Sequence, residues 1–238
     1  MRFIRKTAEP RKLAEFKRKN RNTPQVLRYS NLTAGARREL QETLLTEQGR
    51  LCAYTMMPIG RSRSSGNADD FHIEHIRPRS RERERDLDYD NMLLCTPGPR
   101  AEHCEYGAHR KADAEVDDAN FVSPLSPSCE TRLQYRLTGQ VRATAERDDA
   151  AGRTIDLLNL NHPNLVEARV ETLRSQGLAS DAKRPISAAQ ASRLARKITE
   201  VDHKGQIAPF CIAIKQIAEG IARKQKARAA RIARSAGE

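Results

Sequence analysis

The chain has 238 residues, room for one domain of ordinary size or two small ones. Hydrophobic residues make up 38%, aromatics 4%, and Trp is absent, so any core must come from Leu, Ile, Val and Ala beneath a large charged surface. A formal charge of +12 makes a polyanion the default partner, and no apolar run approaches the roughly 20 residues of a bilayer span.

The charge is uneven. Residues 1–28 carry ten Lys/Arg against two Glu, which reads as an extended basic arm with one short helix around Leu13 and Phe16. The plain alternative is a solvated end that only aids solubility. No apolar segment follows Met1–Lys6, and five irregularly spaced cysteines argue against a disulfide framework, so the expected location is cytoplasmic. Residues 33–48 predict an amphipathic helix, with Ala36, Leu40 and Leu44 at four-residue spacing and Gly49 where a C-terminal cap belongs. Arm and helix make a first region, 1–50.

A second region, 51–145, holds most of the His and Cys. Its expected order is a strand (Leu51–Tyr54), a strand (Phe71–Ile76), a charged loop, a strand (Met92–Cys95), a Pro/Gly loop and a short helix near Tyr106–Asp113. Alternation across Thr131–Leu137 and Gln140–Ala143, around Thr138-Gly139, predicts a half-buried hairpin. The third region, 146–238, is expected to be helical. Its segments are Thr154–Leu160, then Asn161 capping a helix from Pro163 to Ser175, then Ser187 capping one with Ala191, Leu194 and Ile198, and a last helix from about Pro209. That helix fades into a basic, Ala-rich tail with little to bury, expected to fray or to order on a partner. The fold class predicted is α+β.

The chemistry concentrates in Glu74-His75, with Asn91 sixteen residues after His75 at the start of an apolar run. Hydrolysing a phosphodiester needs a base, a cation and a frame. His75 is the natural base. Glu74 offers a hard oxygen suited to Mg²⁺, with Mn²⁺ as the other candidate. Asn91 is expected to bond across to the backbone carrying His75 and so fix its loop. On a regular strand Glu74 and His75 point opposite ways, but the twist at a strand end and Pro78 are expected to bring both, with Asn91, around one cation. Arginines alternate through the following loop, so an extended conformation would aim Arg77, Arg79 and Arg81 at phosphate oxygens, with Lys111 as a further nucleic-acid contact. Interleaved Glu82 and Glu84 leave a self-paired, solvated loop as the alternative. His109 is the first choice for a further metal ligand, against a plain surface histidine. Cys52, Cys95, Cys104 and His103 could hold a structural Zn²⁺, or the three cysteines could pack a minor core. Cys129 and Cys211 fit no ligand spacing.

Taken together, Glu74-His75 with Pro78, Asn91 opening a strand, and a Cys/His/Lys-bearing helix after it resemble the ββα-metal HNH endonucleases. Several further segments narrow the likeness to the HNH proteins of retron and Septu anti-phage systems (PtuB-like). They are Leu51-Cys52-Ala53-Tyr54, Ile73–Ser80, Leu87–Cys95, His103-Cys104 with Lys111, Ser126–Gly139, Ile155–Asn161 and Arg169. Thr55 stands where a second zinc-knuckle cysteine is usual. The resemblance covers roughly residues 48–175 and implies DNA cleavage in phage defence beside an ATPase subunit (PtuA-like), docked through the C-terminal half. By position, His75 becomes the general base, Asn91 the motif asparagine and Glu74 a metal ligand. The chain lacks a Gly-x-x-x-x-Gly-Lys-Ser/Thr loop, so ATP dependence would come from another chain. The competing expectation is a non-catalytic nucleic-acid-binding or adaptor subunit.

Overall fold

The computed structural model describes residues 1–60, 70–98, 102–179 and 186–235. Residues 99–101 of the expected Pro/Gly loop and 236–238 of the tail lie outside them. Helices and short strands mix in an α+β arrangement, with two two-stranded antiparallel sheets among the described residues.

The first residues are not an extended arm. Helix α1 (Arg11–Lys19) buries Leu13, while Met1 and Ile4 are also buried. Ile4 N donates to Pro124 O at 2.8 Å, and Lys6 Nζ donates to Met92 O at 2.9 Å. Charge density suggested solvation, but apolar residues at positions 1, 4 and 13 give this segment a face to bury.

Helix α2 (Ala34–Glu47) begins where Thr33 accepts from Ala36 N, and it buries Ala36, Leu40, Leu44 and Leu45. It ends at Gly49, φ 58°, where an added Cβ would sit 2.5 Å from Ile207 Cδ1. Left-handed backbone and close approach both require glycine there. Between them Gln48, 1% exposed, bonds Leu94 through both amide atoms and donates to Leu51 O.

That clamp fixes α2 against a hairpin. Strand β1 (His72–His75) pairs antiparallel with β2 (Met92–Cys95), placing His75 opposite Met92 and His72 opposite Cys95. All of β2 is buried, and helix α3 (Gly107–Lys111) follows. The expected strand at Leu51–Tyr54 is instead a turn with one bridge, Leu51 to Pro58. Met56, at φ 60°, reverses the chain before pairing can extend.

Helix α4 (Cys129–Arg132) runs into β3 (Leu133–Tyr135), which pairs with β4 (Val141–Ala143) in a hairpin shorter than expected. Helix α5 (Asp149–Leu157), capped by Asp148, starts five residues before the expected Thr154. Helix α6 (Pro163–Ser175) is capped by His162. Asn161, expected in that role, bonds Val141 N and O instead. Arg169 of α6 is 1% exposed, donates to Gly139 O at 2.9 Å and lies over the Tyr135 ring, so it is a structural clamp on the hairpin. Helix α7 (Ala188–Lys197) opens with the Ser187/Gln190 capping box, and α8 (Cys211–Ser235) closes the described chain.

One core runs from Met1 to Ala213 and draws on all three expected regions; a smaller one joins Leu173, Ala191, Ala195, Ile214, Ala218 and Ala222. Among the described residues, no helix is long and apolar enough to cross a membrane.

Candidate active site

Because strand side chains alternate, β1 sorts its four residues onto two faces. His75 falls on one and packs edge-on against Tyr29, ring centroids 5.9 Å apart, with 6% of its surface exposed. Its Nε2 lies 3.0 Å from Asp86 O and 3.7 Å from Asp86 Oδ1. A carbonyl can only accept, so Nε2 carries the proton and the neutral ring keeps its lone pair on Nδ1. Burial pushes the imidazole below its ordinary 6.5, against the opposing pull of the Asp86 carbonyl.

Asn91 sits in the 3₁₀ turn entering β2, 2% exposed. Its Oδ1 accepts from Arg77 N at 2.8 Å and its Nδ2 donates to Arg77 O at 3.0 Å. The amide therefore staples the loop two residues past His75, and both its ends are spent on backbone. A cavity of about 590 Å³ opens beside it, lined among others by Arg77, Arg85, Asp90, Phe121 and Arg132.

Glu74 falls on the other face, with His72 and α3. Its Oε1 accepts from Lys111 Nζ at 2.8 Å and from Tyr54 OH at 3.4 Å, and its Oε2 lies 3.8 Å from His72 Nε2. His72 Nδ1 is 2.7 Å from Pro97 O, so that nitrogen bears the proton and Nε2 faces Glu74. Burial works to lower the His72 pKa, but Glu74 and the Pro97 carbonyl outweigh it and the net shift is upward. The His109 ring lies 5.5 Å from His72 and 5.7 Å from His103.

Several expectations change here. Imidazole, carboxylate and amide do not converge on one point, since the strand stays regular to its end. Lys111, expected on nucleic acid, is 2% exposed and committed to Glu74, His75 O and Ala112 O. The arginine loop is folded back rather than extended, with Arg81 N bonded to Pro78 O and a 3₁₀ turn at Arg83–Arg85. Its guanidiniums meet acids: Arg77 with Glu82, Arg79 with Asp86, Arg81 with Glu115. His109 Nδ1 accepts from Cys104 N at 3.2 Å, which leaves the proton on Nε2, the reverse of a ligand's tautomer at that atom.

No protein-family model and no curated protein matches the chain.

The zinc candidates are split. Cys52 and Cys95 are both buried; burial works to raise the Cys52 thiol, but neighbouring Cys95 and Thr55 bring it down to about 6. Cys104 is only part-buried and meets His109 through its backbone N–H, and His103 stacks on His109. Among the described residues, no three His, Cys, Asp or Glu side chains are gathered for one ion. His72, which has no role in the sequence reading, meets Glu74 across 3.8 Å. Its signal was there: on a strand of period two, position 72 shares a face with 74.

Proposed function

We propose that the protein is a metal-dependent endonuclease of the HNH type, hydrolysing DNA phosphodiester bonds as the effector of an anti-phage system. One observation carries the reading: the Asp86 carbonyl holds the His75 proton on Nε2, which leaves Nδ1 as the basic nitrogen of the neutral ring. The supporting frame is the order β1, β2, α3, with Asn91 stapling the loop beyond His75 and Glu74 on the face toward α3.

In this reading Nδ1 of His75 takes the proton from the water that attacks phosphorus. The Asp86 carbonyl, and its carboxylate 3.7 Å away, stabilise the imidazolium that forms. Glu74 lies on the opposite face of β1 from His75; a cation there would take Oε2, because Lys111 and Tyr54 occupy Oε1. A bound divalent ion would neutralise charge on the phosphoryl and departing 3′ oxygens. The products carry 5′-phosphate and 3′-hydroxyl ends.

The burial of His75 and the Lys111–Glu74 pair favour a second reading, a nucleic-acid-binding or adaptor subunit of a defence complex. The ATPase partner implied by the resemblance would meet a C-terminal half whose apolar faces cover one another. Among the described residues, the exposed large hydrophobics are Leu137, Val201 and Ile232. Supercoiled plasmid separates the two readings. The nuclease nicks or linearises it with a divalent ion, stops with chelator and leaves ligatable 5′-phosphates. Intact plasmid with every divalent ion tested, despite salt-sensitive binding, leaves only the second reading.

A further inference from the structure

Helix α8 changes character along its length. Its first half is anchored, with Cys211, Ile212, Ala213, Ile214, Ala218 and Ala222 buried in the two cores. Gln225 Nε2 still reaches Ile186 O at 3.4 Å, and every residue from Lys226 to Ile232 is exposed. The helix nevertheless runs on to Ser235, so the stretch from Lys226 carries it about 15 Å past that contact. From Gly220 to Ser235 the sequence holds six Lys/Arg and no Asp or Glu. Among the described residues, no carboxylate pairs with Lys224, Lys226, Arg228 or Arg231, whereas Arg77, Arg79 and Arg81 each meet one. Spacings of three and four put Lys224, Arg228 and Arg231 on one side of Ala227, and Arg223 with Lys226 on the other. The other residues between Arg223 and Arg231 are Gln225 and alanines. That stretch is slim and offers no aromatic or leucine anchor for an apolar groove or a lipid surface.

We propose that the projecting end of α8 is the protein's nucleic-acid grip, a cationic helix laid along the phosphates of duplex DNA. An α-helix with its side chains is about 10–12 Å across and the B-form major groove about 12 Å wide, so a slim helix fits with cations toward both walls. Duplex DNA carries one negative charge per about 1.7 Å of its axis, so each exposed cation finds a phosphate. The buried first half of α8 holds the backbone of the grip in place before binding, and little of it needs ordering on DNA. The grip deepens the proposed reading, resting on it for DNA as the polymer and not for catalysis. It moves DNA contact from the self-paired arginine loop to the unpaired cations of α8.

Fluorescence anisotropy on the full chain tests it, with a short DNA duplex, chelator to prevent cleavage, and a series of salt concentrations. Lys224→Ala, Lys226→Ala, Arg228→Ala and Arg231→Ala combined should weaken binding at low salt at least tenfold. The slope of log affinity against log salt should become shallower by about 3–4, since each phosphate contact contributes roughly 0.9. Alanine at these exposed positions keeps the helix, which circular dichroism checks. A control combining Arg18→Ala, Lys19→Ala, Arg21→Ala and Arg38→Ala removes the same charge from other exposed positions and should change affinity less than twofold. Undiminished affinity or slope in the α8 variant, an equal loss in the control, or equal wild-type affinity for poly-glutamate each overturns the grip, the last in favour of an acidic protein partner. A wild type that grips DNA through α8 but leaves plasmid intact keeps this inference and loses the nuclease reading. One that cuts plasmid while the α8 variant binds as tightly as the wild type does the reverse.

Discussion

Adjacent side chains on a strand face opposite ways, and that decides which partners His75 and Glu74 can have. The sequence made the residue types legible, because an imidazole beside a carboxylate and an asparagine sixteen residues on have few joint uses. It did not reveal how each would be held. The Asp86 carbonyl under His75 and the Lys111 ammonium under Glu74 come from loop and helix positions that no spacing rule reaches. The period of two puts His72 on the Glu74 face, whereas His109, expected as a ligand, accepts from backbone through Nδ1. A titration follows from the burial of His75. Only the neutral ring can accept a proton, and its pKa lies below the ordinary 6.5. The rate of cleavage should therefore be flat across neutral pH and fall only as pH drops through a value below 6.5. An acid limb centred above 6.5 would contradict this assignment. The same sign applies to folding, where protonation of His75 removes stability as pH falls below 6.5.

Helices were legible wherever apolar spacing and a capping residue agreed, as at Thr33 before α2 and Ser187 before α7. Short strands and loops were not. Leu51–Tyr54 has strand-like residues but turns at Met56, and Asn161 serves the hairpin rather than α6. The decisive joint between elements is Gln48, whose role nothing in its neighbours suggested. Its amide meets Leu94 N, Leu94 O and Leu51 O, none of which can reach water if the side chain goes. Gln48→Leu should lower stability by about 3 kcal/mol, since each orphaned buried group costs about 1–3 kcal/mol. Urea unfolding should show this as a lower midpoint at unchanged slope. A loss under about 1 kcal/mol would mean that the β2 edge finds other partners.

At the scale of the molecule, composition described the charged surface correctly but not its division into parts. A chain of +12 net charge was read as basic ends around a nuclease-like centre. The first thirteen residues instead complete the core that also holds Phe210 to Ala213. Few aromatics and no Trp oblige one modest core to collect apolar residues from the whole length. His75 is thereby fixed between Tyr29 from the first region and Asp86 from the second, so its aim depends on the entire fold. The most direct measurement is single-turnover plasmid cleavage by His75→Ala beside the wild type, with matched circular dichroism and DNA affinity. The account predicts at least a ~100-fold slower rate in a folded, DNA-binding variant, the scale of a lost general base. A variant that cuts as fast as the wild type in a clean preparation would contradict it.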